Sequence, residues 1–320
     1  MKLEDIGFYT LTDERAATAS ATSPLSRCEL ILTSRCNFRC PYCRSTGGED
    51  ISYHEATNII KNWTDEGLQN IRFSGGEPTL YPDIFMLCSF TKRLGIERIA
   101  ISTNGSAGIE VYKKLIDCGV NDFSVSLDAC CSEDGDRIAG GIKGAFFRVT
   151  ENIRYLSAKT YTTVGIVLIK ENMNSLLNII QLAHELNVSD IRIIPAAQNG
   201  SKIQYVQISD DILNKYPILK YRVRNIELGK TIRGIQEGDS KRCSLVLDDM
   251  AISQGKHYPC IIYLRESGDA IGKVGKHMRQ ERKKWYELHD THQDPICKKN
   301  CLDVCIDYNN KVRELQNKCD

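Results

Sequence analysis

Three cysteines within eight residues constrain the fold of this chain more than any other feature of its sequence. Cys36, Cys40 and Cys43 follow directly on an apolar, strand-like run. Thiolates this close together are reactive unless a soft metal binds them, and zinc and iron-sulfur clusters are the usual partners. A structural zinc site closes with four ligands, so a set of three either takes a distant fourth ligand or leaves one metal position open for chemistry. The spacing therefore predicts a metal centre in the loop after the first strand.

The pattern C-x3-C-x2-C, with Tyr42 before the last cysteine, resembles the cluster loop of the radical SAM enzymes. In that family the three thiolates hold three irons of a 4Fe-4S cluster, and the fourth iron binds the amino and carboxylate groups of S-adenosylmethionine (SAM). The resemblance implies that an electron from the reduced cluster cleaves SAM and that the resulting 5'-deoxyadenosyl radical takes a hydrogen atom from a substrate. The alternative is a zinc ribbon or knuckle with Cys28 as the fourth ligand.

Composition sets the broad class of protein. The chain has 320 residues, and 42% of them are hydrophobic, which is enough for a sizeable core. Its net charge of +1 does not point to nucleic acid or an anionic membrane as the main partner. The N-terminus does not resemble a signal peptide, and no run of about eighteen apolar residues occurs, so a cytoplasmic protein is expected. Fourteen cysteines in such a chain favour metal ligation over disulfides, whereas Cys28, Cys88 and Cys118 are expected to be small buried core residues.

Hydrophobic periodicity predicts alternating strands and helices. Strands are predicted at 28–33, 70–74, 97–102, 121–127, 161–169 and 190–195. Helices are predicted from the capping box at Ser52 and at 82–94, 108–117, 143–158 and 174–186. This alternation indicates a parallel sheet covered by helices but does not distinguish an open sheet from a barrel. The radical SAM resemblance implies an α/β fold, a partial (β/α)6 TIM-like barrel with a small C-terminal cluster-binding domain and reactive groups at the C-terminal strand ends.

The chain is accordingly divided into a lead-in at 1–27, the partial barrel at 28–200, a connector at 201–240 and a cluster domain at 241–320.

The second predicted strand ends in a segment that resembles the family's G-G-E-P motif, Ser74-Gly75-Gly76-Glu77-Pro78. The two glycines permit close approach of the backbone to a ligand, and their carbonyls and the Glu77 carboxylate can accept hydrogen bonds from an ammonium group. By resemblance that ammonium belongs to SAM.

Other strand ends carry further polar candidates for SAM binding. They are Ser102 and Asn104 after the third strand, Ser126 and Asp128 after the fourth, Arg137 in the next loop and Asn172 after the fifth. A guanidinium suits the SAM carboxylate, although a solvated surface position is the alternative for Arg137. Cys130 and Cys131 are candidates to return a hydrogen atom to a substrate radical, and the alternative for them is a loop thiol of no consequence.

A second group of cysteines occupies the C-terminal quarter. Cys243 and Cys260, with Gly255 and Pro259 between them, resemble the opening of the SPASM and twitch extensions, which hold auxiliary 4Fe-4S clusters. The Gly and Pro fit a hairpin whose tip presents Cys260. The remaining cysteines of the group are Cys297, Cys301, Cys305 and Cys319.

This group departs from a full SPASM pattern, because it has six cysteines and no C-x2-C pair. One auxiliary cluster, as in the shorter twitch form, fits better, held by Cys243, Cys260 and two of Cys297, Cys301 and Cys305. The spacing of four residues would place those three on one side of a helix, so not all of them need be ligands. Zinc is the alternative metal.

The expected reaction is oxidative or decarboxylating chemistry on a small polar substrate, such as a sugar, aminocyclitol or nucleoside. Many peptide-modifying relatives carry a leader-binding domain, and the 27 residues before Cys28 are too few for one. A flavodoxin- or ferredoxin-like protein is expected as the electron donor. A peptide-modifying maturase is the alternative enzyme. A non-catalytic, zinc-stabilised nucleic-acid-binding module is the alternative of another class; the basic run from Lys276 to Trp285 would serve it, unless that run is a solvated helix face.

Overall fold

A nine-stranded sheet organises the chain in the computed structural model, which describes residues 13–44, 47–199 and 207–318. Its first six strands are parallel and neighbours in sequence order: β1 (Arg27–Thr33), β2 (Asn70–Gly75), β3 (Arg98–Thr103), β4 (Asp122–Ser126), β5 (Tyr161–Leu168) and β6 (Asp190–Pro195). The sequence predicts each of these strands to within one residue at either end. The sheet is not closed, so this part of the chain is a partial barrel, as expected.

Three further strands extend the sheet beyond β1. They are β7 (Asp249–Ser253), β8 (Lys256–Tyr258) and β9 (Gly272–Lys273). Strand β7 is parallel to β1, whereas β8 is antiparallel to β7 and β9 is antiparallel to β8. The region predicted to be a separate cluster domain therefore begins with strands that continue the barrel sheet, and the boundary near residue 240 stays a prediction.

Helices cover the sheet and build the C-terminal region. Those between the parallel strands are α2 (Tyr53–Thr64), α3 (Ile84–Arg93), α4 (Ile109–Asp117), α5 (Ser132–Ile138), α6 (Ala145–Ser157) and α7 (Leu176–Glu185). The others are α1 (Asp13–Thr18), α8 (Asp210–Lys215), α9 (Pro217–Glu227), α10 (Ile261–Arg265), α11 (Met278–Leu288), α12 (Pro295–Asn300) and α13 (Asp303–Gln316). No helix of the described residues is long and apolar enough to span a membrane.

Helix α2 shows how the sequence specifies the outer layer. The Ser52 hydroxyl accepts a hydrogen bond from the Glu55 amide at 3.1 Å, which is the predicted cap. The apolar positions of the helix, among them Ile60 and Trp63, are buried against the sheet. They pack on alternate strand residues such as Leu30. The opposite, concave face of the sheet carries the other alternate residues, and many of them are charged.

The N-terminal helix packs on the C-terminal region. Helix α1 contacts α13, where Ala16, Tyr308 and Val312 share a small buried cluster. The Arg15 guanidinium donates two hydrogen bonds of 2.6 Å to the Asp248 carboxylate. Cys243 and Cys305 also pack on this cluster, so α1 lies beside two of the C-terminal cysteines.

The basic run is not a uniformly solvated helix face. Arg282 on α11 is only 1% exposed, and its guanidinium donates to the backbone carbonyls of Val246, Tyr258 and Asp249. This arginine ties α11 to the β7–β8 hairpin. Lys283, by contrast, is exposed and pairs with Glu287 at 3.7 Å.

Candidate active site and metal centres

The cluster loop starts where β1 ends and keeps its thiols accessible. Cys36 and Cys43 are exposed and Cys40 is half-buried. The amide of Cys43 donates to the carbonyl of Cys40 at 3.0 Å, and the amide of Phe38 donates to the Cys36 sulfur at 3.4 Å. Burial, together with the negative charge of nearby Asp128, raises the pKa of Cys40 to about 12. A positively charged metal group is therefore needed to hold this sulfur as a thiolate.

Strand β2 ends in direct contact with the start of this loop. The amide of Gly76 donates to the carbonyl of Thr33 at 2.7 Å, and the amide of Glu77 donates to the carbonyl of Arg35 at 2.8 Å. A Cβ on Gly75 would lie 2.2 Å from the Thr33 oxygen, and one on Gly76 would lie 2.2 Å from the Arg35 oxygen. The close approach that requires these glycines is thus between two backbone segments of the chain.

The Glu77 side chain is completely buried. One carboxylate oxygen accepts from the Thr79 amide at 3.1 Å and the Thr103 hydroxyl at 2.8 Å, and the other accepts from the Asn104 amide at 2.7 Å. Burial raises the pKa of Glu77, although these donors oppose the shift. Glu77 joins the end of β2 to the end of β3, and a direct contact with SAM stays a prediction. Pro78 begins the short 3-10 turn that follows, and it is buried.

The ends of β3 and β4 also contact the cluster loop. The side-chain amide of Asn104 donates to the side-chain oxygen of Asn37 at 2.9 Å, and its nitrogen lies 3.7 Å from the Cys36 sulfur. The Tyr42 hydroxyl donates to the Asp128 carboxylate, whose other oxygen accepts from the amide of Val167. Burial raises the pKa of Asp128 to about 6. Three strand ends therefore position one cysteine loop.

The other predicted SAM ligands lie along the same edge of the sheet. Ser126 is exposed there. Ser74 is buried and accepts from Arg265 at 3.2 Å, whereas Ser102 is half-buried and accepts from Arg72 at 3.0 Å. For all three serines a contact with SAM stays a prediction.

Asn172, Arg137 and the two loop cysteines have defined surroundings but untested roles. Asn172 is buried, and its amide donates to the carbonyls of Asp128 and Val167. Arg137 is exposed on α5 and pairs with Asp134 at 2.7 Å. Cys131 is exposed with its sulfur 3.6 Å from Asp134, and the half-buried Cys130 packs on the core. SAM binding by Asn172 and Arg137 and radical quenching by the thiols stay predictions.

Five C-terminal cysteines line a single cavity. Its walls include the apolar side chains of Leu245, Ile262, Trp285 and Ile296, and its thiols are those of Cys243, Cys260, Cys297, Cys301 and Cys305. Cys319 lies outside the described residues. The sequence analysis grouped these cysteines, and the fold brings all five of the described ones to one place.

Two local expectations about this group are wrong. The tip of the β7–β8 hairpin is Gln254-Gly255, with φ of 51° and 66°, and Cys260 follows β8 as the residue that caps α10. Cys297, Cys301 and Cys305 do not share one helix, because α12 ends at Asn300 and α13 begins at Asp303. Because the chain breaks between the two helices, all three thiols reach the cavity, and helical spacing does not decide which of them face it.

Comparison with known proteins agrees with the geometry of the cluster loop. Residues 30–183 match the radical SAM superfamily, and this stretch runs from β1 into α7. This chain therefore contains a radical SAM domain. Members of this family are enzymes that use a 4Fe-4S cluster and SAM, so a non-catalytic zinc-stabilised module does not account for residues 30–183.

Relatives of this chain include proteins named GTP 3',8-cyclase or probable GTP 3',8-cyclase. A probable GTP 3',8-cyclase of Saccharolobus islandicus is 30% identical over an alignment of 182 positions, and the alignment covers 53% of this chain and 57% of the relative. The GTP 3',8-cyclase of Limosilactobacillus fermentum is 32% identical over an alignment of 177 positions, and the alignment covers 51% of this chain and 53% of the relative. The match thus spans little more than half the length of each relative.

Solved structures of radical SAM proteins share the fold. Native anSMEcpe with bound AdoMet and the Cp18Cys peptide has a TM-score of 0.58 at 16% identity, covering 92% of this chain and 98% of that one. Streptococcus suis SuiB bound to the precursor peptide SuiA has a TM-score of 0.57 at 17% identity, covering 86% of this chain and 66% of that one. At these identities the likeness concerns the fold.

The donor set of the five-cysteine cavity suits a metal group. Burial raises the pKa of Cys243 to about 11 and raises those of Cys260 and Cys297 as well. In Cys301 the pKa is raised first by its hydrogen bond with the Cys305 thiol and then by burial. Thiolates buried in an apolar wall are unfavourable, and a bound metal group removes that penalty.

The described cysteine sulfurs of the cavity do not form a compact four-thiolate site for one zinc ion. A zinc ion holds thiolates at about 2.3 Å, which places neighbouring sulfurs roughly 3.8 Å apart. Among the described residues, no three cysteine sulfurs all lie within 4.8 Å of one another.

A mixed donor set at the edge of the cavity was not predicted from the sequence. His289, Asp294 and Cys297 place their ligand atoms within 4.8 Å of one another. The Nε2 atom of His289 lies 3.3 Å from Asp294 Oδ2 and 4.0 Å from Cys297 Sγ, and its ring stacks on Trp285. The Asp294-Pro295 pair is a typical helix start, which could have placed Cys297 in a first helical turn, but no sequence signal marks His289.

Proposed function

We propose that this radical SAM enzyme holds a 4Fe-4S cluster with Cys36, Cys40 and Cys43 and abstracts a hydrogen atom from a small polar substrate. The observation that carries the proposal is the convergence of β2, β3 and β4 on the loop that bears these thiols. When bound, the cluster supplies the electron that cleaves SAM and generates the abstracting 5'-deoxyadenosyl radical.

The chain's own residues position this centre. Tyr42, held by Asp128, fixes the loop between the second and third thiols, and Asn104 fixes it beside the first. The carbonyls of Gly75 and Gly76 at the end of β2 are the proposed acceptors for the SAM ammonium group. Because Glu77 accepts hydrogen bonds within the chain, its proposed role is to hold these strand ends together.

The second metal group of the proposal is one auxiliary 4Fe-4S cluster in the five-cysteine cavity. Cys243 and Cys260 would hold it with two of Cys297, Cys301 and Cys305. Such a cluster would accept an electron from a substrate radical or bind the substrate directly, which favours oxidative outcomes. A flavodoxin- or ferredoxin-like protein is the proposed electron donor.

For the substrate, a nucleoside or nucleotide is favoured within the predicted class of small polar molecules. Two relatives with 30% and 32% identity are named for a reaction of GTP. The peptide-modifying alternative is supported by fold likeness alone, because the neighbours solved with peptides are 16% and 17% identical.

The test is SAM cleavage by a Cys40→Ala variant. Loss of one of three cluster thiolates is expected to abolish 5'-deoxyadenosine formation under dithionite while about four irons remain at the auxiliary site. Cys118→Ala, which removes a half-buried thiol outside both sites, is the matched control and is expected to retain cleavage. Continued formation of 5'-deoxyadenosine by Cys40→Ala would refute the assignment.

A further inference from the structure

The concave face of the sheet gathers charged side chains from several strands. Arg72 on β2 reaches across to Asp122 on β4 at 3.4 Å. Arg192 on β6 reaches back to the Ser124 hydroxyl, also on β4, at 2.8 Å. Because each contact passes over an intervening strand, β3 or β5, both arginines project from the same face of the sheet into one shared lumen.

The acidic groups of this lumen are already engaged by other arginines. Asp122 accepts from Arg98 at 3.0 Å as well as from Arg72. Arg27 lies 3.0 Å from Asp249 on β7, the strand next to β1, and 3.6 Å from Glu29. The carboxylates of Glu29, Asp122 and Asp249 thus pair with the guanidinium groups of Arg27, Arg72 and Arg98.

Arg192 is left without an acidic partner among the described residues. No carboxylate lies within 4.0 Å of its guanidinium there, and its buried Nε has no hydrogen-bond partner. Burial lowers the pKa of Arg192 to about 10, and the positive charge of Arg72 contributes to the shift. Arg192 therefore forms no direct ion pair within the described residues, and the carboxylates of Glu29 and Asp122 act on it only from a greater distance.

A second arginine enters the same region from the C-terminal part of the chain. Arg265 ends α10, the helix that begins after Cys260. Its guanidinium donates to the Ser74 hydroxyl at 3.2 Å and to the carbonyl of Arg44 at 3.5 Å, both of them neutral acceptors. No carboxylate of the described chain pairs with it.

Uncompensated guanidinium groups inside a protein are costly, and each presents a fork of donors that fits a phosphate or a carboxylate. We propose that the lumen binds an anionic group of the substrate, a phosphate or a carboxylate, through Arg192, with Arg265 reaching in from the C-terminal region. This inference rests on the proposed function and narrows its substrate from a small polar molecule to a small polar anion.

The test is direct binding of two simple anions to the cluster-loaded protein in the presence of saturating SAM. Inorganic phosphate and acetate are titrated separately by calorimetry under anaerobic conditions. At least one is expected to bind the wild type; binding of phosphate alone identifies a phosphorylated substrate, and binding of acetate alone identifies a carboxylate. Binding of neither anion would overturn the proposal.

Variants locate the bound anion. Arg192→Ala is expected to raise the dissociation constant about tenfold or more, whereas Arg192→Lys, which keeps the charge but not the fork, is expected to raise it less. Arg154→Ala removes the same charge from an exposed position on α6 and is expected to leave anion binding unchanged. An equal effect of Arg154→Ala and Arg192→Ala would mean that only the overall charge matters, which would refute the site.

SAM affinity separates this inference from the proposed function. Arg192→Ala is expected to weaken the anion far more than SAM; an equal loss of SAM affinity would assign Arg192 to the SAM carboxylate and overturn the inference. Wild-type protein that binds the anion but does not cleave SAM would refute the proposed function and leave the anion site standing. Circular dichroism of each variant shows whether the fold is retained.

Discussion

At the residue scale, the end of β2 depends on the absence of a side chain at Gly75. Its φ of 144° lies outside the range that other residues adopt readily, and an added Cβ would meet the carbonyl oxygen of Thr33 at 2.2 Å. This contact sets the distance between β2 and the start of the cluster loop.

Gly75→Ala is therefore expected to lower the free energy of unfolding by about 2–4 kcal/mol and to reduce the iron bound by the cluster loop. Gly95→Ala is the matched control, because Gly95 also has a positive φ, of 81°, but meets nothing within 4 Å. The control is expected to lose only about 1 kcal/mol. Urea unfolding of the metal-free proteins measures both, and equal losses would show that the approach to Thr33 is unimportant.

The same residues show what a sequence can predict at this scale. The G-G-E-P segment predicts a close approach of the backbone to a ligand, and in the structure its glycines lie against the backbone of Thr33 and Arg35. The glycines do not tell whether a ligand or another backbone segment lies against them, because both require the absence of a side chain. Likewise the sequence predicts that the Glu77 carboxylate accepts hydrogen bonds from an ammonium group, and only the fold reveals that Thr103 and Asn104 donate to its oxygens.

At the element scale, a buried carboxylate joins β6 to α9. Asp190 on β6 is fully buried, and it accepts from the amide of Ile218 in the first turn of α9 at 3.1 Å. Burial outweighs these donors and raises the pKa of Asp190 to about 6, from an ordinary value of 3.8. Between those two pH values the folded chain holds a proton that the unfolded chain releases.

The contribution of Asp190 to the free energy of unfolding therefore falls by roughly 3 kcal/mol as the pH rises from about 4 to about 6. Above pH 6 this contribution levels off. Asp190→Asn is expected to lose that part of the slope. Asp117→Asn, at an exposed position on α4, serves as the control and is expected to keep the wild-type slope. Urea unfolding of the metal-free proteins across this pH range measures the slope of the unfolding free energy against pH. An unchanged slope in Asp190→Asn would contradict the raised pKa of the buried Asp190 carboxyl.

Helix α1 is anchored by an ion pair that reaches across the chain. The Arg15–Asp248 pair is largely buried, so removal of one partner leaves an uncompensated charge. Arg15→Ala is expected to destabilise the protein by about 3 kcal/mol and to loosen iron at the auxiliary site, because α1 packs on α13, which carries Cys305. Arg15→Lys should retain much of the stability, and iron retention under chelator challenge measures the second effect.

Spacing alone did not predict the C-terminal helices. Three cysteines four residues apart are compatible with one continuous helix, but Cys301 is extended, with ψ of 135°. The next residue, Leu302, pairs with Arg233 in an isolated bridge, so a distant segment of the chain interrupts the helix. Tertiary pairing of this kind leaves no periodic signal in the sequence, whereas the amphipathic helices of the barrel do.

At the scale of the whole molecule, the two cysteine groups belong to one connected structure. Strand β7 pairs with β1, which leads into the cluster loop. Arg44, just after that loop, forms an ion pair of 2.9 Å with Glu266 beside α10. The sequence identified both cysteine groups, but it could not place them on the same sheet, because parallel pairing between strands more than 200 residues apart has no local signature.

The number of irons and sulfides per chain in anaerobically reconstituted protein measures directly whether the protein holds two 4Fe-4S clusters. Wild type, the Cys36/Cys40/Cys43→Ala variant and a Cys260/Cys301→Ala variant are compared. Two independent 4Fe-4S sites predict about eight irons in wild type and about four in each variant. An auxiliary cluster would be contradicted by about four irons in wild type that fall to none in the first variant and stay unchanged in the second. Zinc bound by wild type and lost in the Cys260/Cys301→Ala variant would assign the C-terminal cysteines to that metal.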